Sequence, residues 1–279
     1  MTALTRRCAQ LSLLFILALA WVQPARAIDG ARVDAFLEVT GFDVAVESIK
    51  LSAGSAPEMI GVETEDFGAQ WTGLVDEVFD EALMLGLAHE ILSATIDEEM
   101  LTHAMGFYGS DLGKRLVETE NASHMVEDDV QKSETGDRMV ADMVREGDPR
   151  LEQLKALISA IGSEDASVRA IQEVQLRFLM AAAGAGVVEL QMDEADLREA
   201  MRSDEVGLRL ALQTGALSNA AYTYEDFSDA EIAAYTEALE HPVMQRTYEL
   251  MNAVQFEIMA NRFEALAARL QSLSPSQEL

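Results

Sequence analysis

Residues 242–273 read PVMQRTYELMNAVQFEIMANRFEALAARLQSL, and this stretch decides the fold class. Met244, Tyr248, Met251, Val254 and Ile258 form an apolar stripe at spacings of three and four, which Met259, Phe263, Leu266, Leu270 and Leu273 continue. That spacing puts about one apolar side chain per turn on one face of an α-helix. The 32 residues span about 48 Å at about 1.5 Å per residue, so the helix must pack along much of the molecule.

The same palette of Ala, Leu, Met, Glu and Gln extends through the rest of the chain, with few β-branched runs, and predicts an all-α protein. Val33, Phe36 and Leu37 start a short helix that Gly41 interrupts, and Phe42, Val46 and Ile49 continue on a second. Residues 51–66, with Gly54, Pro57 and Gly61, read as a loop. Trp71, Leu74, Val75, Val78, Ala82 and Leu85 mark one face of a single longer helix. FLMAAAGAGVV (178–188) is too short to span a membrane, and its small residues fit a buried central helix that a neighbour approaches closely.

The start of the last helix has a counterpart earlier in the chain. FYGSDLGKRLVETENA (107–122) aligns with ALEHPVMQRTYELMNA (238–253) at an offset of 131. Arg115/Arg246, Glu118/Glu249, Asn121/Asn252 and Ala122/Ala253 coincide, and TIDEEML (95–101) falls on DFSDAEI (226–232) without a gap. Thr95 with Glu98 predicts a capping box, and Asp226 is the expected N-cap of the second copy. The expected architecture is therefore two diverged copies of a helical unit packed into one bundle-like molecule. Residues 28–147 form the first unit and 148–279 the second, with its long C-terminal helix, and Gly147-Asp148-Pro149 is the boundary.

Within the first copy, Phe107 and Tyr108 are expected to end a helix against the core. Gly109 is expected to cap it in the left-handed conformation, Ser110 to start the next helix, and Gly113 to admit a close neighbour. The second copy has His241-Pro242 where the first has Ser110-Asp111, and proline suits the first helical position.

These residues carry a family resemblance. FYGSDLGKRLVETE (107–120) resembles the Phe-Tyr-x-Ser-x-x-Gly-Lys/Arg signature of the bacterial exported "domain of unknown function 2059" family. IDEEML (96–101) and LEVTGFD (37–43) resemble segments that accompany it. The resemblance implies an exported helical protein, and it brings no catalytic residues. It covers about a quarter of the chain after the leader, and the second copy lacks the Phe-Tyr, Ser and Gly positions. Phe107, Tyr108, Gly109, Ser110, Gly113 and Arg115 are read as a structural helix corner.

Residues 1–27 read as a cleaved signal peptide. Arg6 and Arg7 precede the apolar run of residues 11–22, and Ala25-Arg26-Ala27 fits the small-x-small cleavage site. The expected location is the periplasm, with no stable membrane insertion after cleavage. The single cysteine, Cys8, lies in the leader, so the mature chain has no disulfide, thiol catalysis or cysteine-ligated metal. Three arginines and no acids lie in residues 1–27, which leaves 17 Lys+Arg against 49 Asp+Glu, a net charge of −32 where the full chain has −29. That balance argues against nucleic acid as a partner.

No constellation amounts to a catalytic set. Gly109 to Lys114 is one residue short of a phosphate loop, and Arg115 stands where a magnesium-holding Ser or Thr is needed. Ser110 lacks the Gly-x-Ser-x-Gly elbow and reads as an N-cap. His89, His103, His124 and His241 include no His-Glu-x-x-His. Met100, His103 and Met105 do not share one helical face as a copper site requires. Glu127, Asp128, Asp129, Glu134 and Asp137 lack the alternation and glycine of a calcium loop. Arg115–Glu118 and Arg246–Glu249 are expected to be intrahelical pairs. Tyr222, Tyr224, Tyr235 and Tyr248, with Trp71, fit core packing or the wall of a ligand cavity.

No cofactor is expected. The reading is a non-catalytic binding or protein-interaction module whose partner is an envelope protein or a small ligand. Two alternatives stay open: a small-ligand carrier or unrecognised enzyme with a cavity between the units near the tyrosines, and weak divalent-cation binding by the acidic surface.

Overall fold

The structure is a computed structural model that describes residues 28–61 and 69–273, and among these there is no β-strand. The expected signal peptide, and residues 62–66 of the expected loop, lie outside the described residues. Helix α1 (Gly30–Thr40) starts at Asp29, whose carboxylate accepts from Ala31 N. It ends at Gly41, whose φ of 69° turns the chain into α2 (Phe42–Glu47). Where the sequence suggested a loop, the chain winds into 3-10 turns at Ser48–Ser55 and Glu58–Ile60. The Ser48, Ser52 and Ser55 hydroxyls donate to the carbonyls of Ala45, Ile49 and Ser52, three residues back, which suits the tighter turn.

The single helix expected after residue 70 is two, α3 (Ala69–Val78) and α4 (Glu81–Thr95). Phe79 is fully buried at the break, and Asp80 restarts the helix by accepting from Leu83 N at 2.9 Å. Helix α5 (Glu98–Tyr108) is capped by Asp97, which accepts from Met100 N. Thr95 is therefore not the expected cap. It closes α4 with its hydroxyl on Ile91 O, and Glu98 pairs with Arg32. The second cap also lies two residues later than expected: Ser228, not Asp226, forms a full capping box with Glu231 ahead of α12 (Asp229–Leu239).

Helix α6 (Asp111–His124) follows α5 after a two-residue corner, with Ser110 Oγ accepting from Gly113 N at 3.1 Å. Gly109 sits at φ −74°, ψ −10°, so the expected left-handed cap is absent and Gly109 simply extends the last turn of α5. Helix α7 (Asp129–Glu146) ends at Gly147, with φ 66°. It is followed by α8 (Arg150–Ile161), α9 (Glu164–Gly184), α10 (Glu194–Ser203) and α11 (Glu205–Thr223). The last helix, α13 (Pro242–Leu270), has 29 residues and is slightly shorter than expected; Leu273 packs on the core just beyond it.

Helix α13 organises the core. Met244, Met251, Val254, Ile258, Phe263, Leu266 and Leu270 are buried along its length. α9 lies along it most extensively, and α3, α4 and α5 also pack on it. Phe263 meets Phe79 and Phe178 edge-on, with ring centroids 5.7 and 6.0 Å apart. Helices α7 and α11 form a second close pair. Gly136 of α7 faces the Ser218 carbonyl, where any β-carbon would overlap backbone. Gly113 likewise faces Phe107 O and Tyr108 Cα, so its close neighbour is the end of α5.

Both contacts are with backbone, which cannot step aside as a flexible side chain does. Gly136→Ala and Gly113→Ala are each expected to lower stability by about 2 kcal/mol or more. Gly86→Ala, in open space on α4, is expected to raise it by about 0.5–1 kcal/mol. Urea unfolding midpoints check all three, and a neutral Gly136→Ala would contradict the packing.

Candidate ligand site

Four tyrosines and one glutamate converge from helices in both halves of the sequence. Glu120 comes from α6 and Tyr108 ends α5; Tyr224 follows α11, Tyr235 lies on α12 and Tyr248 on α13. The Tyr224 and Tyr235 hydroxyls donate to Glu120 Oε1 at 2.7 and 2.9 Å. Tyr235 also meets the Tyr248 hydroxyl at 2.9 Å and that of Tyr108 at 3.1 Å, and Tyr108 and Tyr248 hydrogen-bond each other. The rings pack as well: Phe107 stacks on Tyr235, and Tyr108 and Tyr224 approach Tyr235 edge-on.

These are five oxygen–oxygen contacts, and four phenols supply only four protons. A protonated Glu120 would supply the fifth: the Glu120–Tyr235 contact would then reverse, the carboxyl O–H donating, and the hydroxyls of Tyr235, Tyr108 and Tyr248 would donate around a ring. Burial acts in the same direction. It raises the Glu120 carboxyl above the ordinary carboxylate range, while the hydrogen bonds from Tyr224 and Tyr235 pull the other way. Burial likewise raises the phenols of Tyr108, Tyr224, Tyr235 and Tyr248, and the nearby carboxyl raises them further.

Tyr108 and Tyr235 are each only 1% exposed, whereas Glu120 and Tyr248 keep some accessible surface. That surface opens into a cavity of about 410 Å³, within the range typical of small-molecule sites. Phe42, Leu212, Met251, Phe256 and Met259 make it largely apolar. His124, Asn121, Asn252 and Gln255 add polar groups, and Glu164 and Arg209 are its other charged residues. Arg209 is already engaged by Asp165 and by Glu205 at 2.6 Å. Enclosure, and then the Lys132 ammonium, lower the pKa of His124, which favours the neutral ring. A wider space of about 1240 Å³ adjoins the cavity and shares Ile161, Gly162, Asn252 and Phe256 with it.

Residues 84–142 match the family described as "Uncharacterized protein conserved in bacteria (DUF2059)". This is the family that the residues of the corner resemble. The match runs from within α4 into α7, so it holds Tyr108 and Glu120 but not the other three tyrosines. No curated protein and no solved structure matches the chain.

The remaining sequence-stated residues are dispersed. Arg115 does not pair with Glu118 as expected: it reaches across to Glu231 and lies over the Phe227 ring, while Arg246 pairs with Glu99 at 2.6 Å. The cross-pairing prevails because the partner acids stand in the first turns of neighbouring helices, whereas Glu118 and Glu249 face outward. Two bonds from Ser228 and then Arg115 hold the Glu231 carboxyl at about 2. His103 stacks on His241 at 4.2 Å, and His241 caps α13. Asp128 caps α7, and Asp137 accepts from Ser218. Tyr222 stands outside the tyrosine cluster, and Trp71 packs in the core on α3. Among the described residues, no group of three or more His, Cys, Asp and Glu is placed to hold a metal ion. Glu120 is the residue that sequence reading missed. Its one signal was its place as the last residue of the family-like stretch 107–120, twelve positions beyond Tyr108.

A carboxyl whose pKa is raised by folding favours the native state fully below its unfolded value, 4.5, and that contribution is lost as pH rises through the folded value. Glu120→Gln keeps a donor and an acceptor without the titration. The stability of this variant minus that of the native protein should therefore increase as pH rises from 4 and then level off. Urea midpoints of both proteins across pH 4 to 8 give the difference, in which titrations common to both cancel. A difference that is flat or falls with pH would rule out a raised Glu120.

Proposed function

We propose that this is an exported, non-catalytic binding protein that holds a small ligand in the cavity beside Glu120, between two diverged helical units. The single observation that carries this is the cavity itself: an apolar space with one buried, fully networked polar end, lined by residues from both parts of the chain. Such a combination is the usual form of a ligand pocket. The broader expectation of a protein-interaction module rested on long helices and acidic charge, which specify no site.

Several features support the two-unit reading of residues 28–147 and 148–279. The offset of 131 carries α5 onto α12 residue for residue, and carries the caps Asp97 and Ser110 onto Ser228 and His241. In the ion pairs Arg32–Glu98 and Arg150–Asp229 the acids are related by the same offset, while the arginines stand 118 positions apart. Arg115 and Arg246, which are related by the same offset, each reach an acid at the start of the other unit's helix, Glu231 and Glu99, one position out of register. Gly41 lies against Asn121, and Gly162 against the corresponding Asn252.

Export rests on the N-terminal pattern of residues 1–27 together with the family resemblance. No helix among the described residues is long and apolar enough to cross a membrane.

Native mass spectrometry of the protein recovered from its own cell envelope tests the reading. The expected spectrum carries an added small-molecule mass. Ala216→Trp, which fills the cavity from α11, should lose that mass while keeping the fold. A bare native chain, or the same adduct on both proteins, would count against the cavity as the binding site.

A further inference from the structure

We infer that the cavity selects an organic cation, an ammonium head on a hydrocarbon tail, with Glu120 receiving the head and giving up its proton as the ligand enters. This rests on the cavity being a ligand site, and it names the chemical class of the ligand.

The argument begins with which charges the cavity can satisfy. An anionic head would find no free counter-charge. Arg209 is held by Asp165 and Glu205, with Glu164 at 4.0 Å, and His124 favours its neutral form. Asn252 donates to Ile161 O and Gln213 to Glu164, so these amides are also engaged. A wholly apolar ligand would leave the carboxyl and the Tyr248 hydroxyl facing hydrocarbon, and burying polar groups without partners is costly. A cation has a partner in Glu120, the titratable acid at the closed, tyrosine-lined end. Its tail has Leu212, Met251, Phe256 and Met259 to lie against.

The hydrogen-bond count makes the exchange specific. Without ligand, the carboxyl proton completes the five-contact network. When an ammonium arrives, the Glu120 O–H bond breaks and its proton leaves to solvent. The Tyr235 hydroxyl then turns from the ring to the carboxylate, which accepts from Tyr224, Tyr235 and an ammonium N–H, and two protons remain for the three contacts among Tyr108, Tyr235 and Tyr248. One positive charge enters and one proton departs, so the buried site never holds an unpaired carboxylate. The net charge of −29 raises the local concentration of cations in the same sense.

The groups facing this exchange come from every surrounding helix. They are Tyr108 from α5, His124 from α6 with Lys132 of α7 behind it, Glu164 from α9, Arg209 and Tyr224 from and after α11, Tyr235 from α12 and Tyr248 from α13. Only His124 also titrates toward a form that would repel a cation at low pH, so the test separates the two with a Glu120 variant.

Calorimetric titration with n-hexylammonium, 1-hexanol and hexanoate varies the head charge at constant tail. Hexylammonium is expected to bind at least about tenfold more tightly than hexanol, a difference of about 1.4 kcal/mol, with hexanoate weakest. Its affinity should rise with pH through the Glu120 titration. Below that range, the heat should depend on the buffer's ionisation enthalpy in the sense of proton release. Glu120→Gln should bring hexylammonium down toward the affinity of hexanol. If hexanol or hexanoate binds best, or Glu120→Gln leaves the order unaltered, the cation assignment is overturned while the cavity reading stands. If none of the three binds, the charge of the envelope-derived adduct decides, and a neutral or anionic molecule overturns the assignment. A bare chain in that spectrum removes both readings together.

Discussion

Helix α13 must be covered on more than one side, and most of the structure follows from that constraint. Ten of its 29 residues are buried, including Thr247, whose hydroxyl is satisfied within the helix by Val243 O. A helix apolar on a single stripe can lie on a surface, whereas one buried this widely needs neighbours around it. α9 supplies the longest contact, and α3, α4 and α5 cover other faces. Because α13 begins with His241 stacked on His103 and runs past Phe79 and Phe178, it joins early and late parts of the chain along one axis.

The polar cluster depends on the same axis. Tyr248 lies two turns into α13, a helix that packs on α5. Its hydroxyl, with those of Tyr108, Tyr224 and Tyr235, forms a network around a carboxyl that lines the cavity. A partly satisfied buried network is costly and a complete one is specific, so the shortfall of one phenolic proton acts with burial in favouring a protonated Glu120. The same arrangement that holds the halves together leaves one polar end exposed to an apolar space. In this molecule the stabilising network and the candidate binding site are one set of atoms.

Ion pairs distribute the strongly acidic charge in a consistent way. Arg32, Arg115, Arg150 and Arg246 each reach an acid in the first turn of another helix. There they also attenuate negative charge that the helix N-terminus already favours. Isolated surface pairs of this kind contribute little to stability.

The sequence by itself determined the helical class, the corner at residues 107–113 and the place of the long last helix, because these follow from periodicity and capping chemistry within a few residues of chain. It misplaced both N-caps by two residues and fused α3 with α4, because Asp80, Asp97 and Ser228 compete with nearby acids and hydroxyls that are equally good caps in isolation. It also assigned Arg115 and Arg246 to their own helices, since pattern alone recognises only partners three or four residues away. The site was hardly legible. Tyr222, Tyr224, Tyr235 and Tyr248 stood out as a group, of which Tyr222 lies outside the cluster, and Glu120 was one acid among 49. Only the packing of α5, α6, α11, α12 and α13 brought residues 108, 120, 224, 235 and 248 into contact. Burial and the count of available protons are properties of that assembled geometry, and no local stretch of chain contains them.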